Sequence, residues 1–327
     1  MQLIDELERR SDAIKIVESV EICEANYDDE GNWWLILDGA DYGITEEAFD
    51  NLLNLLRIPI KYIKRCVEDE GTMLAIASIN YWLSKYNAKP EPVEGELSGP
   101  HGLSFLVSHN GEWPEITQVF PGKRLFIPGV KVNDLIFDYL DGDVEIINYN
   151  TEDDVFNAVY LTKRKYEIDG TWYHFGVRVL YSDCFKITPR FDGVLYSKGK
   201  KSLFAYPTTG RKFRVAGSTI PQVFEQIEEF LDLSIEGLNI SLLPSLKTLA
   251  HDTVEKNVSS VINNMCAEMR FSKKIKDEVS SWFGNVYETL FRVAEVIGTK
   301  TNAMEDVELA REIQIAMTHY ICNGSFK

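Results

Sequence analysis

Apolar residues recur along this chain with two periods, and the changes of period divide it. Between 45 and 86 the spacing is helical. Thr45 stands as an N-cap, Glu46 and Glu47 suit the positive end of a helix, and Ile44 is placed to staple onto Phe49. Phe49, Leu52, Leu53 and Leu56 then fall at i, i+3, i+4 and i+7, one apolar stripe. Arg57-Ile58-Pro59 stops that helix, and Pro59 opens a second that carries Lys61, Lys64 and Arg65 as a solvated face. A third helix is predicted from about Thr72 to Tyr86, with Tyr81, Trp82 and Leu83 as core anchors. Ahead of these, Trp33 to Leu37 reads as a strand ended by the turn Asp38-Gly39.

Past residue 102 the period becomes two. LSFLVSH, ITQVF and RLFIP are separated by the turns Asn110-Gly111 and Pro121-Gly122, and a short amphipathic piece follows from Asp134 to Leu140. Ala158 to Ile168 and Thr171 to Tyr181 flank Asp169-Gly170, a strong hairpin signal. Phe185 to Thr188, Gly193 to Tyr196, Ser202 to Tyr206 and Lys212 to Val215 continue the meander, with Pro189, Gly199, Pro207 and Gly210 as turns. After Ser218 the helical period returns: Pro221 opens a helix with Phe224, Ile227, Phe230 and Leu231, and further amphipathic segments run to Cys322. The expectation is an α+β chain. Its parts are an N-terminal helical and strand unit over 1–88, a Pro- and Glu-rich linker over 89–102, a central antiparallel sheet over 103–217 and a C-terminal helical region over 218–327.

Composition narrows the class. A chain of 327 residues that is 45% hydrophobic and 12% aromatic can bury a real core. MQLIDELERR lacks a basic stretch leading into an apolar one, and no apolar run reaches membrane-spanning length, so an unexported protein of the cytoplasm with no membrane partner is expected. Five cysteines, Cys23, Cys66, Cys184, Cys266 and Cys322, are dispersed without a C-x-x-C pair and suit a reducing compartment.

Chemistry is sparse. The phosphate-loop, dinucleotide, zinc-protease and hydrolase signatures are absent. The five histidines have no metal-ligand spacing. Asp138, Asp141, Asp143 and Glu145 lack the loop grammar of a calcium site and read as an acidic turn. His174 is a conceivable general base should folding bring Asp183 to it, with a satisfied sheet histidine as the plainer reading. No cofactor, metal or enzymatic reaction is expected.

One stretch runs against the charge of the rest. Gly193 to Phe224 holds Lys198, Lys200, Lys201, Arg211, Lys212 and Arg214 and no acid, within a chain of net charge −17. Tyr196, Phe204, Tyr206 and Phe213 are interleaved with these cations. Cations that track a phosphate backbone, beside rings on which bases stack, describe a single-strand nucleic-acid surface. The site expected from sequence is therefore Lys198, Lys200, Lys201, Arg211, Lys212, Arg214, Tyr206 and Phe213. Strand alternation leaves open the alternative that the rings point into the core. Lys163, Arg164 and Lys165 are candidates to extend this patch, with Arg164 on the face opposite the two lysines.

Several short motifs resemble a family of phage- and plasmid-borne proteins known as domain of unknown function 932. ITEEAFDNLLNLLRIPIKYIKRC with INYWL at Ile79 to Leu83, FGVRVLYSD at Phe175 to Asp183, FDGVLY at Phe191 to Tyr196 and the closing AREIQIAMTHYI carry the likeness. The chain departs from it where SKGKK and TTGRK stand in place of a Cys-Thr-Asn-Gly segment. The resemblance implies a mobile-element origin and a bacterial host cell, and brings no reaction with it. The functional expectation is a non-catalytic accessory protein that holds single-stranded DNA or RNA. The alternatives are a virion or assembly component making protein-protein contacts or self-assembling, and an acidic inhibitor that mimics DNA toward a host protein.

Overall fold

The computed structural model describes residues 2–17, 23–87, 102–109, 113–122, 125–152, 155–183, 185, 187–208, 213–214 and 219–326. The chain is α+β, and it divides into two compact units, Met1–Val130 and Lys131–Lys327. Among the described residues no helix is long and apolar enough to cross a membrane.

In the first unit, α1 (Gln2–Ala13) leads into β1 (Ile14–Val17), β2 (Cys23–Tyr27), β3 (Trp33–Leu37) and β4 (Ala40–Ile44). Three helices follow, α2 (Glu46–Leu55), α3 (Ile60–Glu68) and α4 (Thr72–Asn87), and then β5 (Leu103–Ser108) and β6 (Glu115–Pro121). The strands make one six-stranded sheet in the order β1-β5-β6-β4-β3-β2, antiparallel except for β4 beside β6. The α2 helix starts where the sequence places it, with the Ala48 N–H donating to Thr45 Oγ1 at 3.2 Å. Its Phe49, Leu52 and Leu53 join Ile63 of α3 and Ala75, Ile79 and Leu83 of α4 over Leu35, Leu37, Phe105, Val107 and Ile116 of the sheet. The β2 edge does not stay open. Asn80 of α4 accepts from the Ala25 N–H at 2.6 Å and donates to the Ala25 carbonyl at 3.2 Å, occupying backbone groups that would otherwise recruit a further strand.

The second unit opens with α5 (Gly129–Tyr139) and a five-stranded antiparallel sheet. Its strands are β7 (Val144–Glu152), β8 (Val155–Ile168), β9 (Thr171–Ser182), β10 (Arg190–Ser197) and β11 (Ser202–Pro207), in the order β11-β10-β9-β8-β7. Asp169 and Gly170 turn the β8–β9 hairpin, both at positive φ (50° and 67°), as a two-residue type I′ connection requires. The helices are α6 (Ile220–Gly237), continued by a π-helical turn (Leu238–Leu242) into α7 (Leu243–Ala250), then α8 (Val258–Met269), α9 (Lys273–Ser281), α10 (Leu290–Thr301) and α11 (Val307–Asn323). Two three-residue strands, β12 (Glu255–Asn257) and β13 (Tyr287–Thr289), pair between them. Tyr173, Phe175, Leu195 and Phe204 on one sheet face pack against Leu238, Leu242, Ile262, Phe291, Ile297 and Ile313 of the helices. The opposite face gathers Val159, Leu161, Val194, Tyr196, Leu203 and Ala205.

Three expectations change, and a fourth falls on residues that are not described. The strands at 103–108 and 115–121 pair with β1 and β4, so they complete the N-terminal sheet instead of the central meander expected over 103–217. Residues 125–128 form no strand, nor do the described residues of Phe185 to Thr188. Tyr81 and Trp82, expected as core anchors beside Leu83, are exposed, and Leu83 alone of the three is buried. The Pro-rich linker lies outside the described residues except for Gly102.

Candidate functional site

Among its described residues the basic window does not assemble into one ledge. Lys198, Lys200 and Lys201 sit in the turn between β10 and β11, whereas Phe213 and Arg214 come after the far end of β11. A six-residue strand separates those ends by ~17–20 Å. Arg211 and Lys212 lie outside the described residues.

Carboxylates from elsewhere meet two of the lysines. Lys198 is ion-paired with Glu145 of β7. Lys200 Nζ lies 2.5 Å from Oε1 of Glu295, an α10 carboxylate that also accepts from the Tyr173 hydroxyl at 3.0 Å and from Arg292. Burial first, and then the charge and hydrogen bond of Glu295, push the Tyr173 phenol well above its ordinary pKa. Lys201 is exposed at φ 53°, and its carbonyl accepts from Asn302 Nδ2 at 3.2 Å. Arg214 is exposed, its backbone N–H and carbonyl both bonded to the Gln226 amide.

The rings take the inward option. Tyr196 and Phe204 are buried. Tyr206 packs on the helical core, and its ring occupies the space a Cβ would need at Gly237. Phe213 lies among Phe185, Phe191 and Phe230, with centroids 5.4–6.3 Å away. Tyr196 and Phe204 are core, and Tyr206 and Phe213 are partly buried with their rings against other side chains, so none of the four stands free as a stacking platform.

In the second unit the rings that do meet cations stand on the β8–β9 hairpin. Lys165 Nζ is 4.8 Å from the centre of the half-exposed Trp172 ring, and Arg164 lies over Tyr166 at 5.0 Å and Phe175 at 5.6 Å. Pairing of Lys165 with His174 puts Lys165 and Trp172 on one face and Arg164 with Tyr166 on the other. Lys163 is ion-paired with Asp143. His174 stands opposite Lys165 near the hairpin turn, whereas Ser182 pairs with Val155 at the other end of the ladder, so Asp183 is a strand length from His174. Among the described residues no three His, Cys, Asp or Glu side chains are placed to hold a metal.

The surface that the sequence reading missed is the outer face of α4. Met73 is 77% exposed, Leu74 57%, Tyr81 56% and Trp82 49%, with Tyr62 of α3 39% exposed beside them. Tyr62 and Ser78 join the two helices through a 3.3 Å hydroxyl contact, and Lys85 lies 5.7 Å from the Tyr81 ring centre. On α4 the apolar residues at 75, 79 and 83 face the core, while those at 73, 74, 77, 81 and 82 face outward. A helix apolar all round is ordinarily buried on every side. The signal was present in the sequence: Thr72–Asn87 holds no acid in a chain with 51 of them. Together the five side chains leave on the order of 500 Å² uncovered, near the upper end of what monomeric surfaces carry.

No family model matches this chain, no curated protein matches it, and no solved structure matches it.

Proposed function

We propose that this chain works by protein-protein contact, with the outer face of α4 as the contact surface and a second copy of the chain as its occupant. The observation that carries the reading is the exposed run Met73, Leu74, Tyr81 and Trp82 on a helix without a single acid. Aromatic residues and methionine are enriched at interface cores, and charged residues are depleted there. Two chains of net charge −17 repel each other, and a helix bearing only Lys85 is a place where they meet without opposing carboxylates.

The pattern is also self-complementary. Small Ala77 and Ser78 lie between the pairs Met73/Leu74 and Tyr81/Trp82. An antiparallel copy therefore sets the rings of one helix on the aliphatic pair of the other, about a two-fold axis near Ala77. Doubling on the order of 500 Å² gives an interface near the ~1,000 Å² that a specific contact needs, before any rim is counted. A non-catalytic assembly component fits this reading, and the likeness to phage-borne proteins is in keeping with it.

Sedimentation velocity over a concentration series tests the proposal. The wild-type chain should reach twice its own mass at micromolar concentration, and Trp82→Glu should return it to monomer. A wild-type monomer up to ~100 μM, where a standard interface is already formed, would sink it. A second reading, single-stranded nucleic acid, draws support from Lys165 and Arg164 lying over rings of the β8–β9 hairpin. Neutralising about four phosphates predicts a log-log salt slope near −3 for labelled oligonucleotide, and a flat response removes that reading.

A further inference from the structure

In the second unit a cavity of about 280 Å³ lies between the β7–β8 strands and the turn joining α10 to α11. Three features of its wall ask for a ligand. The first is Arg178, 6% exposed on β9. Of its five N–H donors, Nε and Nη2 reach Asp192 Oδ2 at 3.1 and 2.7 Å and Nη1 reaches Gln314 Oε1 at 2.5 Å. Two N–H groups are left without a partner among the described residues.

The second feature is a charge imbalance. Asp192, 1% exposed, is shared by Arg178 and by Arg311, which donates to both its oxygens at 2.8 and 2.6 Å. Two guanidinium groups on one carboxylate leave a unit of positive charge behind the wall. Glu305, the only acid lining the cavity among the described residues, is exposed at its rim. The third feature is Asn157, also in the wall, whose Oδ1 is buried with no hydrogen-bond partner.

The backbone is shaped for this place as well. The β7–β8 register slips between Ile147 and Asn150, and Asn148 holds φ 49° in that bulge. Bulges of this kind re-aim side chains beside binding sites. Asn148 Nδ2 thereby reaches Asn302 Oδ1 at 2.6 Å and closes one side of the mouth.

We infer that the cavity binds a small anion carrying a hydroxyl or amine next to its charged group. The anion takes the spare guanidinium protons and offsets the buried positive charge, and the adjacent donor supplies Asn157. Its volume sits at the small end of ligand pockets, which restricts the class to molecules the size of a hydroxy acid or a short phosphate ester.

Isothermal titration of the full chain in 0.15 M salt tests this with malate, succinate and glycerol 3-phosphate as probes. Saturable 1:1 binding of malate or of the phosphate ester is expected, and the tighter of the two identifies the anion as carboxylate or phosphate. Malate should bind about tenfold tighter than succinate, which lacks the hydroxyl, and Asn157→Leu should erase that difference. Arg178→Lys should abolish binding of every probe. Should that variant unfold, the malate to succinate ratio and Asn157→Leu still decide the matter. The inference is overturned if no probe saturates by ~10 mM, the weakest range in which a built site is meaningful. It is equally overturned if malate and succinate bind alike and Asn157→Leu changes nothing.

Discussion

Replacing Asp192 by Asn should be the most damaging conservative change in the second unit. The carboxylate is 1% exposed and accepts four N–H donors, two each from Arg178 and Arg311, at 2.6–3.1 Å. An amide of the same shape offers one acceptor oxygen and turns an NH₂ toward a donor. It also leaves the buried Arg178 without a counter-charge, and removing one partner of a buried ion pair costs about 3–5 kcal/mol. Burial by itself would raise the Asp192 pKa, but Arg311 and then Arg178 outweigh it and hold the carboxyl below its ordinary value of 3.8. The sign of the pH dependence follows. The folded pKa is depressed, so the stabilisation is complete above about pH 4 and fades as pH falls through the lowered folded value. Native-state hydrogen exchange of β9 and β10 amides reads the second unit separately from the first. At pH 7, Asp192→Asn should lower their opening free energy by about 3 kcal/mol or more. On acidification below pH 4 the wild-type chain should lose protection while the variant, already without the carboxylate, changes less. A loss under ~1 kcal/mol at pH 7 would refute the reasoning, since it would mean that the guanidiniums are compensated by something other than Asp192.

Further outcomes follow from single contacts. Asn80→Ala removes both hydrogen bonds that close the β2 edge at Ala25, and should cost about 1–2 kcal/mol in urea unfolding while raising thioflavin-positive aggregation on heating. Gly237→Ala places a Cβ 2.0 Å from Tyr206 Cε1 and should destabilise by more than ~1 kcal/mol, with Tyr206→Ala relieving the clash in a double-mutant cycle. The Cys23 thiol is pushed up to about 12 by burial, with Asp38 and Glu24 adding to it, so mass spectrometry after iodoacetamide at pH 8 should find Cys23 unmodified until the chain unfolds.

Local signals were legible in the sequence and non-local ones were not. Thr45, the Phe49–Leu56 stripe and Asp169-Gly170 each act within a few residues, and the structure forms the cap, the helix and the hairpin they specify. Sheet membership is different. Nothing in LSFLVSH distinguishes pairing with β1 from pairing with a later strand, because an alternating strand fits any edge of matching register. The basic window shows the same limit. Its charge was plain, but Glu145 stands 53 residues from Lys198 and Glu295 stands 95 from Lys200, and only folding brings those carboxylates in. The inward turn of Tyr196 and Phe204 was one of two outcomes that alternation allowed. On α4 the misreading came from treating every large apolar residue as core, although a 16-residue helix without a break in its apolar character has one face too many for a two-layer unit.

The central claim, that two copies meet through α4, is tested most directly by placing a cysteine on its predicted axis. In the wild-type chain Cys23, Cys66 and Cys266 are buried, and the partly exposed Cys322, together with Cys184, is first replaced by serine to keep the background low. Ala77→Cys treated with a short bismaleimide should give a cross-linked dimer in high yield at micromolar concentration. Lys274→Cys, exposed on α9 in the other unit, should stay monomeric. Equal yields from the two positions, or no dimer from Ala77→Cys, would contradict the account.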